Sequence, residues 1–139
     1  MILLRKMVST ALLCFLIALS STCFASAWQL AARDDGAHED YYLLSDSIWF
    51  DGTLGGAGMK IRYPSGAYDL LEFQFLVRNG DVYRVSFKNI AAHNAQDEFM
   101  YYVDNDCHFM TGKDAPLARV CKFAIRQAQM KEVGTNETL

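Results

Sequence analysis

Apolar and polar residues alternate with a period of two along much of this chain. Near the C-terminus the spacing changes to threes and fours. The clearest alternation is Leu70 to Phe87, LLEFQFLVRNGDVYRVSF, where two strand-like runs flank Asn79-Gly80, a strong hairpin signal. A two-residue Asn79-Gly80 loop would pair Arg78 with Asp81 and set Phe75 opposite Arg84 and Phe73 opposite Ser86, so each apolar residue would meet a polar one. A three-residue loop, Arg78-Asn79-Gly80, with Gly80 left-handed in a bulge, removes the mismatch. It pairs Val77 with Asp81, Phe75 with Tyr83, Phe73 with Val85 and Leu71 with Phe87. Glu72, Gln74, Arg84 and Ser86 then share the wet face. This bulged register is the expected one.

The same pattern places the other elements. Residues 28–40 (WQLAARDDGAHED) are polar and read as an N-terminal arm, either mobile or a short edge element. Tyr41 to Phe50 is aromatic and broken by Ser45-Asp46-Ser47, so it forms one bulged strand or two short ones. DGTLGGAGMK reads as a flexible connection, followed by a strand in which Met59, Ile61 and Tyr63 alternate with Lys60 and Arg62. A phosphate-cradling role for it is disfavoured, because a strand follows and neither a Gly-Lys-Ser/Thr ending nor a full G-x-G-x-x-G is present. Pro64-Ser65-Gly66 supplies a turn. Asn89 to Asp97 reads as a connection with room for a helical turn, and Glu98 to Val103 as a further strand. Asp104-Asn105-Asp106 is a polar turn, since an EF-hand would need Gly where Phe109 stands and Glu where Ala115 stands.

DAPLARVCKFAIRQAQMKEVG carries the helical period. Asp114 is placed to cap it, Pro116 suits its first turn and Gly134 is placed to end it. Leu117, Val120, Cys121, Ala124, Ile125 and Ala128 share one face, with Arg119, Lys122 and Arg126 opposite. The expected fold is α+β: an antiparallel meander of four or five strands with this helix packed on one face. Residues 41–133 form the domain and 134–139 a tail, in which Asn136-Glu137-Thr138 is a glycosylation sequon.

The N-terminus changes how the rest is read. Arg5 and Lys6 precede an apolar run from Ala11 to Leu19, and Ala25-Ser26-Ala27 fits a small-residue cleavage site. That order predicts a signal peptide, residues 1–27, and a periplasmic or secreted product with no lasting membrane anchor. Of 13 basic residues the leader takes Arg5 and Lys6, leaving 11 against 16 acidic ones and a mature charge of −5. Such a balance disfavours nucleic acid as a partner.

Export also decides the cysteines. Cys14 and Cys23 leave with the leader, and Cys107 and Cys121 remain. In an oxidising compartment they are expected to pair, closing a loop of about 15 residues and contributing roughly 3 kcal/mol in the loop-entropy model. Cys107 beside His108 is the rival reading, a reactive thiol, and two Cys with one His at this spacing match no standard zinc site. No cofactor is implied.

For function, the pattern favours a protein-binding accessory or inhibitor-like module. Phe123 and Met130 lie beside the basic stripe, so Arg119, Lys122, Phe123, Arg126 and Met130 form the candidate partner surface. Phe123 has a competing role in simply widening the buried arc. Two alternatives stand. One is a small hydrolase using His38, His93 or His108 with carboxylates, although no diagnostic spacing marks one. The other is a carrier of a small apolar ligand between sheet and helix.

Overall fold

The structure, a computed structural model, describes residues 27–104, 107–109, 112 and 114–137. Eight strands join in one antiparallel sheet: β1 (Trp28–Asp34), β2 (Glu39–Leu44), β3 (Trp49–Phe50), β4 (Leu54–Arg62), β5 (Tyr68–Arg78), β6 (Asp81–His93), β7 (Phe99–Val103) and β8 (Cys107–Phe109). One helix, α1 (Pro116–Glu137), follows them. The α+β class, the meander and the C-terminal helix are as expected, but the sheet is larger. Two lanes of it are bent strands. A 3-10 turn at Ser45–Ser47 separates β2 from β3, and both lie beside β4. Likewise β7 and β8 both lie beside β6. The sheet therefore runs β1-β2-β4-β5-β6-β7, with β3 and β8 off that path.

The stretch read as a polar arm forms β1, an edge strand paired with β2 and bulged at Ala31. Asp34 closes the turn after it by accepting the amides of Gly36 and Ala37. The connection expected from Asn89 to Asp97 is mostly strand, since β6 runs on to His93. A second bulge explains this: Asn89 takes a positive φ of 53°, which lets Ile90 and Ala92 resume the apolar side of the ladder. Asn94 then makes the turn, its Oδ1 accepting the amides of Gln96 and Glu98.

The β5–β6 hairpin has the expected parity and a different turn. Asn79 and Gly80 both have positive φ, 54° and 80°, and Arg78 pairs with Asp81 across a two-residue loop. The one-residue mismatch is corrected one step later, where Tyr83 is the extra residue and Leu76 pairs with Arg84. Phe75 then meets Val85 and Phe73 meets Phe87, in place of the expected Tyr83 and Val85. The need for a bulge follows from the sequence. Its position follows from Asn79, which tolerates the left-handed backbone that the tight turn requires.

The glycine-rich connection is a correction of a different kind. Asp51 accepts the amides of Thr53 and Leu54 and turns the chain, after which Leu54, Gly55, Gly56, Ala57 and Gly58 are strand. A Cβ built on Gly55 would lie 2.3 Å from Cζ of Phe75 on the core face. One on Gly56 would lie 2.6 Å from the Phe73 carbonyl oxygen and 3.0 Å from Nε1 of Trp49. The glycines are flat floor beneath aromatic rings, which is a strand use of glycine and no hinge.

Above that floor sits the core. Leu43, Met59, Phe73, Phe75 and Val85 from the sheet meet Val120, Cys121 and Ala124 from α1, all nearly inaccessible. Burying each large side chain contributes about 1.5–3 kcal/mol. Phe50 stacks on Phe75 at 5.8 Å, and Phe73 contacts both Phe75 and Phe87. The helix begins as expected, with Pro116 in its first position and the Ala115 carbonyl accepting the Arg119 amide. Ala115 thus takes the cap position assigned to Asp114. Gly134 does not end the helix, which continues to Glu137, because it keeps a helical φ instead of the left-handed one that a glycine cap uses.

Two substitutions test these assignments by urea unfolding. Gly55→Ala is expected to destabilise the protein by about 1–3 kcal/mol through the clash with Phe75. Gly134→Ala, whose added methyl meets open space, is expected to stabilise it by about 0.5–1 kcal/mol.

Candidate functional site

The outer surface of α1 collects the stripe expected from the sequence. Arg119, Lys122 and Arg126 are exposed and, with Ala31 and Ala32 of β1, line an open groove of about 260 Å³. The bulge at Ala31 belongs to the strand that forms the groove's far wall. Arg126 also borders a second, wider depression of about 480 Å³ with Gln129, Met130, Val133 and Gly134. Met130 and Val133 are 66% and 58% exposed there. Four of the five surface residues therefore come together in one continuous strip. Phe123 stands apart from it, half-buried and packed on the core cluster.

The helix is held in place by two of its own cations. Arg119 donates from Nη2 to the carbonyl of Arg33 at 2.6 Å. Lys131 donates to the carbonyls of Ser45 and Ile48, near the other end of the helix. These bonds fix α1 across β1 and the 3-10 turn. Neither was visible in the sequence, because each spans more than 80 residues.

Among the described residues the three histidines of the hydrolase reading stand apart. His38 lies in the β1–β2 turn, His93 on β6 and His108 on β8 opposite Ser86, so the three histidines occupy separate parts of the sheet. No group of three metal-binding side chains occurs among the described residues. Between the β5–β6 hairpin tip and α1 there is a cavity of about 100 Å³, lined by residues including Val77, Val82, Ala118 and Ile125. That is well below the roughly 300–1,000 Å³ of usual ligand pockets.

His93 is occupied in packing. On the sheet face without the helix, Lys60 Nζ lies 4.5 Å above the Tyr68 ring, Tyr68 stacks on His93 at 4.8 Å, and Phe99 meets His93 edge-on at 5.9 Å. This row crosses β4, β5, β6 and β7. Sequence reasoning missed it because these four residues become neighbours only once the register is known.

Cys121 is a free thiol in the structure, fully buried, and burial pushes its pKa up to about 12. A thiol in that setting is a poor nucleophile. Cys107 pairs in register with Phe87, and its side chain lies outside the described residues. Asn105 and Asp106 of the expected polar turn also lie outside them, as do residues 1–26 of the expected leader and the side chain of Asn136.

At one end of the sheet two tyrosines are tied to acids. Tyr41 donates to Glu39 Oε2 at 2.9 Å, and Tyr63 to Asp69 Oδ2 at 2.5 Å. Burial first, then the carboxylate each phenol serves, raises both pKa values well above the ordinary 10. Neutral phenols are thus the form the folded state holds.

Comparison with protein-family models, curated proteins and solved structures finds no match for this chain. Among the described residues no helix is long and apolar enough to cross a membrane.

The tyrosine arrangement sets a pH dependence. Unfolded phenols ionise near 10 while the folded ones stay protonated, so stability is expected to fall as pH rises above about 10. In urea titrations on either side of that value, the double variant Tyr41→Phe, Tyr63→Phe is expected to lose less over the same interval.

Proposed function

We propose that the chain is exported, trimmed after Ala27, and acts outside the cytoplasm as a binding module for an acidic protein partner docked on the outer face of α1. The observation that carries this reading is the strip itself. Arg119, Lys122 and Arg126 border a groove that merges, at Arg126, with the exposed Met130 and Val133. A cationic groove continuous with an exposed apolar patch is a composition that suits protein recognition, where Arg and Met are enriched. In a trimmed chain with five more acids than bases, such a strip selects against acid-poor surfaces and steers acidic ones toward it. An inhibitor-like or accessory role fits this geometry, with the helix as the presented element.

The leader, residues 1–27, is the support for export, and β1 begins at Trp28, the residue after the cut. In an oxidising compartment Cys121 would be joined to Cys107, which lies in β8, the strand that precedes α1. Native alkylation of the exported protein followed by reduction and unfolding checks both statements. The expected result is an N-terminus at Trp28 and two cysteines that label only after reduction. Two thiols that label on unfolding alone would overturn the bridge.

For the docking face, the partner is isolated by cross-linking in the native host compartment. Its affinity is then measured with wild type and with Lys122→Glu, Arg126→Glu. A loss of about ten-fold or more per charge reversal is expected, with weakening as salt rises. Lys88→Glu on β6 is expected to leave binding unchanged.

A further inference from the structure

We propose that the outer edge of β7 takes up an extended segment of another protein as an added antiparallel strand, and that this segment is apolar in its centre and basic at both ends. This stands apart from the helix-face reading, since β7 is at the other end of the sheet from β1 and the groove.

The two ends of the sheet are treated differently. At the β1 end, α1 packs against the strand, a bulge interrupts it, and Arg119 occupies the Arg33 carbonyl. These are ordinary ways of closing an edge. At the other end, β7 is Phe-Met-Tyr-Tyr-Val, with no lysine and no proline. Phe99, Met100, Tyr101 and Tyr102 are each more than half exposed. Among the described residues no strand pairs with its outer side. Every second residue of such an edge directs its N–H and C=O outward, and these groups can pair with an incoming strand. Among the described residues the backbone of this edge is interrupted by a bulge at Met100, which leaves Tyr101 to Val103 in regular register with β6.

The charges at the ends of β7 select the occupant. Exposed Glu98 precedes the strand and exposed Asp104 follows it. Glu98 Oε1 accepts from Asn94 Nδ2 at 3.3 Å, while the Tyr102 hydroxyl donates to Asn89 Oδ1 at 2.7 Å and lies 3.4 Å from Asp104 Oδ1. Antiparallel pairing with a second copy, centred on Tyr101, would set Glu98 against Asp104 of that copy. Like charges directly opposite are destabilising in a sheet. A segment with lysine or arginine at its ends converts both clashes into attractive pairs.

The test uses the full mature chain and two labelled, end-blocked peptides, Lys-Thr-Val-Thr-Val-Thr-Lys and its counterpart with glutamate at both ends, followed by fluorescence anisotropy. The basic-ended peptide is expected to bind saturably and about ten-fold or more tighter than the acidic-ended one. The double variant Glu98→Lys, Asp104→Lys is expected to reverse that preference. N-methylation of alternate peptide amides along one edge is expected to abolish binding, as strand addition requires. Absence of saturable binding, equal affinity for the two peptides, or an unchanged preference in the double variant would overturn the proposal. So would a concentration-dependent dimer in sedimentation that Tyr101→Lys abolishes, since that edge would then belong to a second copy. Lys122→Glu, Arg126→Glu is expected to leave peptide binding intact, so failure of the helix-face reading would not pass for failure here.

Discussion

The fold depends on the absence of side chains at two consecutive positions of a central strand. Gly55 and Gly56 lie in β4, and their two faces are covered by rings from different strands: Phe75 on the core side and Trp49 on the open side. Because no Cβ intervenes, Phe75 lies low enough to stack on Phe50 and to tilt against Phe73. That ring layer is what α1 rests on through Val120, Cys121 and Ala124. Raising the floor by one methyl would lift Phe75 into the helix, or push β3 away from β4. Close packing leaves little room to share such a displacement. The low floor, the short β3 lane and the seat of the helix are therefore one constraint.

This shows why some parts were legible in the sequence and others were not. Hydrophobic parity is local, so the need for a bulge in the β5–β6 hairpin could be read from Phe73, Phe75, Val85 and Phe87 alone. Where the extra residue falls was not decided by parity. A shift of one residue in either direction restores the apolar face, and the positive φ of Asn79 and Gly80 chose the tight turn and moved the bulge to Tyr83. Glycine is ambiguous for a related reason. The same GGAG is a hinge if nothing lies over it and a strand if rings do, and only Phe75 and Trp49, distant in sequence, decide between the two. The continuation of β6 past Asn89 was hidden because its bulge reads as an interruption. In the helix the apolar arc and the basic stripe were both legible, since spacings of three and four are set by the helix itself.

The candidate surface divides along the same line. Which residues share the outer face of α1 is a property of the helix, so the cluster of Arg119, Lys122 and Arg126 followed from spacing. What they face is a property of the sheet, and the groove beside Ala31 and Ala32 required β1 to exist as a strand. Arg119 has two uses there. Its guanidinium holds the Arg33 carbonyl through Nη2, while its place in the stripe keeps it on the groove wall. Lys131 pins the far half of the helix in the same way, so the cations of α1 divide between anchoring and display. Mild overall acidity makes this division matter: a cationic strip on a negative chain has a direction for approaching charge that net charge alone would reverse.

The two sheet edges extend that argument from charge to backbone. A strand edge is a row of polar groups whose pairing is satisfied by water, by a side chain, or by another strand, and a folded monomer that stays soluble has to limit the third option. Here one edge is limited by three independent devices, the helix, the bulge at Ala31 and the Arg119 bond. The other has a single bulge and carries aromatic residues in place of charge. Random drift of surface residues would not be expected to leave four large apolar side chains in succession on the less guarded strand, because each adds to the aggregation hazard. Acidic residues bracket that strand, at Glu98 and Asp104, where they discourage self-pairing without covering the apolar centre. An edge whose bracketing acids disfavour its own copy and favour a strand with basic ends is the arrangement that selective strand addition requires.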